Sequence, residues 1–365
     1  MKITFVLPHA SLAGGIRVVA IYAEILRLKG HDIFIVSWPA KPAPRRVRLK
    51  SLLLNGSCGE NQHEASHLDP LHFIPHRILD TRRPVIDADV PNADVVIATW
   101  WETAEWVAAL SPEKGAKAYF IQHHEASFEY LPQERAAKTY SLPLQKITIS
   151  NWLVELMKTR YADADVPLIY NSVDTHQFSS PVRKRQAKPT VGLLYSPVYW
   201  KGCDVSLKAF KLVKKRFPDL QLVAFGVDDI SPSLPLPEGA QYFKQPLQDS
   251  IRDIYNRCDV WLCGSRAEGF HLPPLESMAC RCPVVSTAVG GPADIINNGE
   301  NGYVVPIEDS SALAERLETV LELSEKEWQD MSDAAYMTAI QYTWEDACIL
   351  FEQALIHTVN NDKTV

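Results

Sequence analysis

Short β-branched runs and amphipathic stretches alternate along this chain, then alternate again, and that pattern confines it to parallel sheets flanked by helices. Residues 3–7 read as a buried strand, Gly14-Gly15 opens a helical stretch reaching Lys29, Gly30 closes it, and a second strand follows at 33–36. This is a β-α-β unit. Strands at 95–98, 118–121, 146–149 and 166–170 continue the sheet, while residues 39–92, rich in Pro, His and Arg, resist reading. A polar stretch with Pro181, Arg183-Lys184-Arg185 and Pro189 reads as a linker. The alternation then restarts, with strands at 190–195, 220–225, 241–243, 260–263, 284–287 and 303–305. The expected organisation is a first domain over 1–178, a second over 179–342, and an amphipathic helix in 343–365 that returns to the first. Paired open sheets are expected to present two strand ends to one ligand across a cleft.

The chain has 365 residues, 46% hydrophobic and 22% charged, enough for two cores. Its net charge is −7, and the acid excess lies beyond Thr175; this is not a nucleic-acid binder's balance. Seven cysteines, without a CxxC pair or a secreted framework's spacing, point to reduced thiols in a cytoplasmic protein. The first strand follows Met1-Lys2 directly, so no signal sequence is expected, and no apolar run reaches about 18 residues.

The run from Glu268 to Glu276, EGFHLPPLE, carries the most chemistry. If Pro273 and Pro274 occupy the first helical turn, where a missing N–H is harmless, Glu276 lies inside the helix and Glu268 in the loop before it. The two carboxylates then flank a helix N-terminus, whose unpaired N–H groups and positive dipole end suit a phosphate. Lys201-Gly202 lies just past the second domain's first strand, where a lysine neutralises leaving-group charge. Gly14-Gly15 allows close backbone approach to an anion from the first domain, or is simply a tight turn. It is not GxGxxG, and the second strand ends in Ser37-Trp38 without an acid for an NAD ribose, so dinucleotide binding is disfavoured. His123-His124-Glu125 follows a strand end, where a histidine can bond a sugar hydroxyl or carry a proton, or serve as an ordinary loop residue.

Other signals compete. His63-Glu64-Ala65-Ser66-His67 matches the H-E-x-x-H zinc-peptidase signature, but Gly56, Gly59, Asn61 and Pro70 crowd the helix it needs. Asp87-Ala88-Asp89 and Asp163-Ala164-Asp165 mimic an Asp-x-Asp metal motif and read as solvated loops. Lys41, Arg45, Arg46, Arg48 and Lys50 form a basic run that is either a solvated surface or a peripheral contact to the inner face of a membrane. Trp100-Trp101 reads as buried, or as a stacking surface for an acceptor sugar.

Taken together, these residues resemble a family 4 glycosyltransferase of the two-domain GT-B fold, over nearly the whole chain. The motifs come in family order: Gly14-Gly15, His124-Glu125, Ile149-Ser150-Asn151, Asn171-Ser172-Val173-Asp174 ending in Phe178, Lys201-Gly202, the Glu268 to Glu276 run, and Gly290-Gly291-Pro292 before Gly302. The resemblance implies a retaining, metal-independent hexosyltransferase without a cofactor, using a nucleoside-diphosphate sugar, expected to be a UDP-sugar with glucose first, and a saccharide or lipid-linked acceptor in polysaccharide or glycoconjugate synthesis. It further implies that Glu276 binds ribose hydroxyls and Glu268 the transferred sugar. Lys201 and the amides of Gly269, Phe270, His271 and Leu272 hold the diphosphate or sugar, and the base rests near Gly226 and Leu247. Gly14, Gly15 and His124 act from the first domain, brought onto the donor by closure. Leu193 stands where the family usually has an arginine, His271 where glycine is common, and Ser172 at the usual hinge glycine. His271 is therefore expected to restrict the sugar or add a hydrogen-bond donor. A GT-B-type sugar-nucleotide epimerase and a non-catalytic nucleotide-sugar binding subunit remain as alternatives.

Overall fold

A computed structural model of the chain describes residues 1–40 and 65–362. The basic run from Lys41, and His63 and Glu64 of the zinc-like signature, lie outside the described residues. Contacts divide the chain into two units: Met1–Thr148 with Leu156–Pro167 and Cys348–Val365, and Ile149–Glu155 with Leu168–Ala347.

The first unit is built on β1 (Lys2–His9), β2 (Asp32–Trp38), β3 (His76–Ile78), β4 (Val95–Ala98), β5 (Ala116–Ile121) and β6 (Gln145–Thr148). They form one parallel sheet in the order β3-β2-β1-β4-β5-β6. Phe5, Val6, Leu7 and all of β4 are buried, as expected of a parallel strand covered on both faces. The helix Gly14–Leu28 turns Ile16, Val19, Ala23 and Leu26 inward at helical spacing. Gly30, at φ +91°, ends it in the left-handed conformation. The last helix, Trp344–Asp362, joins this unit from Cys348 onward. Its Phe351 stacks on Tyr22 at 4.3 Å and meets Phe120 edge-on at 5.1 Å.

The reading of 166–170 as a strand fails. Pro167 has no N–H to give a ladder; instead its carbonyl accepts from Thr148 at 2.9 Å. β3, in the stretch that sequence left unread, is three residues long and largely exposed, pairing Ile35 with His76.

The second unit holds β7 (Thr190–Leu194), β8 (Gln221–Gly226), β9 (Gln241–Lys244), β10 (Val260–Cys263), β11 (Val284–Thr287) and β12 (Gly302–Val305), all parallel, in the order β12-β11-β10-β7-β8-β9. Both sheets follow one plan: three strands wind outward one way, then three the other. In the second unit the reversal falls between β7 and β10. Loops leaving the carboxyl ends of such a strand pair diverge, and the crevice they leave is where open α/β sheets take ligands.

Candidate functional site

The loops after β7 and β10 are locked together at the backbone. Gly202, at φ +54°, lies so close to the β10 loop that a Cβ there would sit 1.8 Å from the Gly264 carbonyl oxygen. Only glycine satisfies both that conformation and that approach. The contact carries the single turn Tyr199–Lys201 onto the loop that leads to Glu268. Lys201 Nζ donates to both carboxylate oxygens of Glu268, at 3.0 and 2.9 Å. Ser265 Oγ donates to the first of them at 2.9 Å.

Burial alone would raise the Glu268 pKa, yet it is held below its ordinary value by the neighbouring His271 and Lys201 and by hydrogen bonds from Lys201 and Ser265. Burial pushes His271 down to about 4, so at neutral pH it is uncharged and Lys201 supplies the compensating charge. The Lys201 side chain remains 31% exposed against 7% for Glu268.

Arg266 fixes this turn. Its guanidinium donates to the Tyr199 carbonyl at 2.7 Å and to both oxygens of Asp204 at 2.8 Å, bonds Glu308 Oε1 at 2.5 Å, and lies 4.1 Å over the Tyr199 ring. It is a clamp on the lysine turn and not a substitute for the arginine missing at Leu193, because its charge is already shared by two carboxylates. Leu193 itself is a core residue, 1% exposed.

The helix Leu272–Ala279 begins as the sequence requires, with Pro273 and Pro274 in its first turn, Glu268 in the loop before it and Glu276 inside it. Its first N–H groups have no intrahelical acceptor, so they and the dipole make this end electropositive. Two carbonyls of the preceding loop are tied elsewhere: Gly269 O accepts from Trp152 Nε1 at 3.1 Å, and Phe270 O from the Gly291 N–H at 2.6 Å. His271 caps the helix at φ +76°. Its side chain is 3% exposed, its Nε2 lies 3.7 Å from Glu268 Oε1, and its Nδ1 has no hydrogen-bond partner. Glu276 is buried, one oxygen accepting from Tyr255 Oη at 2.8 Å.

Gly226 ends β8 with its Cα against the Tyr195 carbonyl, where a Cβ would come within 2.2 Å. Leu247, 81% exposed, precedes the turn before the helix Ile251–Tyr255. Ser172 Oγ donates to the Tyr342 carbonyl at 2.6 Å. The structure therefore gathers Lys201, Glu268 and His271 at the strand reversal, with Leu272 and Glu276 on the helix that follows.

The remaining candidates belong to the first unit. Gly14 and Gly15 start their helix, and the Gly15 carbonyl accepts from Gln122 Nε2 at 3.1 Å. His124 is buried, its Nε2 2.8 Å from Tyr161 Oη, and burial pushes it down to about 4. Glu125, fully buried beside Tyr119 Oη at 2.8 Å, is pushed up to about 8. Trp101 is buried under the Arg135 guanidinium.

Of the Asp-x-Asp segments, Asp87–Asp89 is a short helical turn with Asp89 buried, whereas 163–165 is a loop in which Ala164 and Asp165 are exposed. Asp89 is 2% exposed and ion-paired with Arg83 and Arg77, and Asp163 pairs with Lys146 at 2.9 Å. Among the described residues no cluster of His, Cys, Asp or Glu is arranged to hold a metal, and no helix is long and apolar enough to cross a membrane. Ser265, Arg266, Tyr255 and Trp152 escaped the sequence reading. Only Ser265 and Arg266, immediately upstream of Glu268, carried a signal by position.

Residues 175–338 match the family model described as "Glycosyl transferases group 1". Among characterised proteins, a sucrose synthase of Acidithiobacillus caldus is 42% identical over 29% of this chain and 14% of its own length. A D-inositol 3-phosphate glycosyltransferase of Corynebacterium urealyticum is 27% identical over 40% of this chain and 38% of its own. The chain thus covers well under two thirds of the length of these relatives. The crystal structure of Anabaena Alr3699/HepE in complex with UDP and glucose superposes with a TM-score of 0.73 at 17% identity, covering 99% of this chain and all of that one. At that identity the likeness establishes the fold, and the two parallel α/β units are those of the GT-B architecture.

Proposed function

We propose that the protein is a retaining, metal-independent glycosyltransferase that moves a hexose from a UDP-sugar to a saccharide or lipid-linked acceptor. The observation that carries this reading is the Lys201–Glu268 pair, set at the β7/β10 reversal beside the start of the Leu272 helix. In support stand the group 1 glycosyltransferase match, which covers the residues forming that cluster, and the sugar nucleotide chemistry of a neighbour solved with UDP-glucose.

In the reaction, the bond between the anomeric carbon and the diphosphate oxygen breaks, and its electron pair leaves with the UDP. A new bond forms from the acceptor hydroxyl oxygen to that carbon, and the hydroxyl proton passes to the departing phosphate. Lys201 and the helix N-terminus stabilise the charge growing on the diphosphate, a task that then requires no cation. Glu268 holds hydroxyls of the sugar and keeps Lys201 in place, while Glu276 takes the ribose, oriented by Tyr255. The base is proposed to rest by Gly226 and Leu247. In the first unit, burial pushes His124 down to about 4 and its Nε2 lies 2.8 Å from Tyr161 Oη, which favours a hydrogen-bonding role over carrying a proton.

Calorimetric titration with UDP-, GDP- and ADP-sugars, followed by product analysis with and without saccharide acceptors and with a chelator, tests the reading. Transfer of glucose from UDP-glucose, undiminished by chelator, is the expected result. An altered sugar nucleotide formed from donor alone would instead identify an epimerase, and UDP binding without turnover a binding subunit.

A further inference from the structure

His271 carries two unfavourable features at once. A non-glycine residue at φ +76° is strained, and an imidazole nitrogen buried without a partner loses its solvation. Glycine would avoid both. The cap itself does not repay this, because a helix N-cap gains from a side-chain oxygen, and the His271 side chain makes no capping bond.

The ring's surroundings decide which nitrogen carries the proton. Nε2 lies 3.7 Å from the ionised Glu268 carboxylate, which can only accept. The favourable tautomer therefore places the hydrogen on Nε2 and the lone pair on Nδ1. Lys201, bonded to the same carboxylate, opposes a second positive charge on the ring, and burial holds the ring neutral. Nδ1 then stands as a buried acceptor without a partner, inside the cluster assigned to the donor sugar.

We propose that the Nδ1 lone pair of His271 accepts a hydrogen bond from one hydroxyl of the transferred sugar, which makes His271 a specificity-determining residue of the donor site. This rests on the transferase reading. A site built to bond a hydroxyl discriminates strongly against the analogue lacking it, since the buried acceptor then stays unpaired. The donor class it implies is a sugar hydroxylated at that position, with the corresponding deoxy sugar excluded.

The test is a double-mutant cycle between protein and ligand, read by calorimetry with UDP, UDP-glucose and its 2-, 3-, 4- and 6-deoxy forms. His271→Gly relieves the backbone strain, and His271→Asn tolerates the same φ while keeping an acceptor oxygen. His271→Gly is expected to bind UDP within about twofold of the original protein but UDP-glucose at least about tenfold more weakly. One deoxy form should lose about tenfold on the original protein and under about twofold on His271→Gly, with His271→Asn in between. Equal losses for every deoxy form on all three proteins, or no selective weakening of UDP-glucose, would overturn the inference while leaving the transferase reading intact. Failure of the unaltered protein to bind UDP would instead defeat that underlying reading.

Discussion

Lys201 and Glu268 depend on each other. Replacing Lys201 with methionine leaves a buried carboxylate whose remaining hydrogen-bond support is Ser265, so Glu268 shifts toward the protonated form and the proposed diphosphate site loses its cation. Lys201→Met and Glu268→Ala are each expected to lower kcat/KM for sugar transfer at least about tenfold, equivalent to about 1.4 kcal/mol, in steady-state assays of a protein with unchanged circular dichroism. Glu125 makes a separate prediction. Its folded pKa near 8 stands above the ordinary 4.5, so between those values the unfolded chain has released a proton that the folded one keeps. Stability therefore falls as pH rises through that window, by up to about 1.4 kcal/mol per pH unit. His124 and His271, held near 4, act the opposite way and lose stability as pH falls below 6.5. Subtracting urea midpoints of Glu125→Gln from those of the original protein isolates the glutamate, and a difference that stays flat from pH 5 to 8 would refute its buried, protonated state. The sequence placed Glu268 and Glu276 about the start of one helix because spacing along a single segment encodes that arrangement, and it marked Lys201 only by its place just past a strand. Arg266 stayed hidden because its partners Asp204 and Glu308 lie 62 and 42 residues away, and no local pattern records that convergence.

Among the elements, strands were legible where both faces are buried: β4, β10 and β11 fall on the runs read from the sequence. β3 was not, because an edge strand with two exposed residues has no apolar run to announce it, and 166–170 misled because its β-branched content masked the missing donor of Pro167. The start of the Leu272 helix was legible through its two prolines. The junction of the β7 and β10 loops was only half legible. Gly202 was noted for its lysine neighbour, while its true constraint is the Gly264 backbone. Gly202→Ala must move one loop off the other and hold alanine in a left-handed conformation. We expect at least about 2 kcal/mol of destabilisation in chemical denaturation, together with weaker UDP binding, since the displaced turn carries Lys201. A stable Gly202→Ala protein with unchanged UDP affinity would show that the turn is not held by this contact.

On the scale of the molecule, the chain does not finish its first unit until its last helix. Phe351 is fully buried among Tyr22, Phe120 and Phe5, and Glu352 on the next position bonds His31 Nε2 at 2.8 Å and the Lys29 ammonium. Residues from opposite ends of the chain thus share one core, and the first sheet keeps exposed apolar surface until the carboxyl end is made. An aromatic-to-alanine change in such a core costs about 3–5 kcal/mol through lost burial and the cavity left behind. Phe351→Ala is expected to lose that much in urea unfolding, with early loss of the first unit's hydrogen-exchange protection on β1 and the Gly14–Leu28 helix. Lys201, Glu276, Gly226 and Leu247, proposed to hold UDP, all belong to the second unit, so the same variant should bind UDP within about twofold of the original protein while it remains folded. Loss of UDP binding in step with the first unit's protection would mean that the two units fold as one cooperative body, and that the donor site borrows its order from the sheet that Phe351 completes.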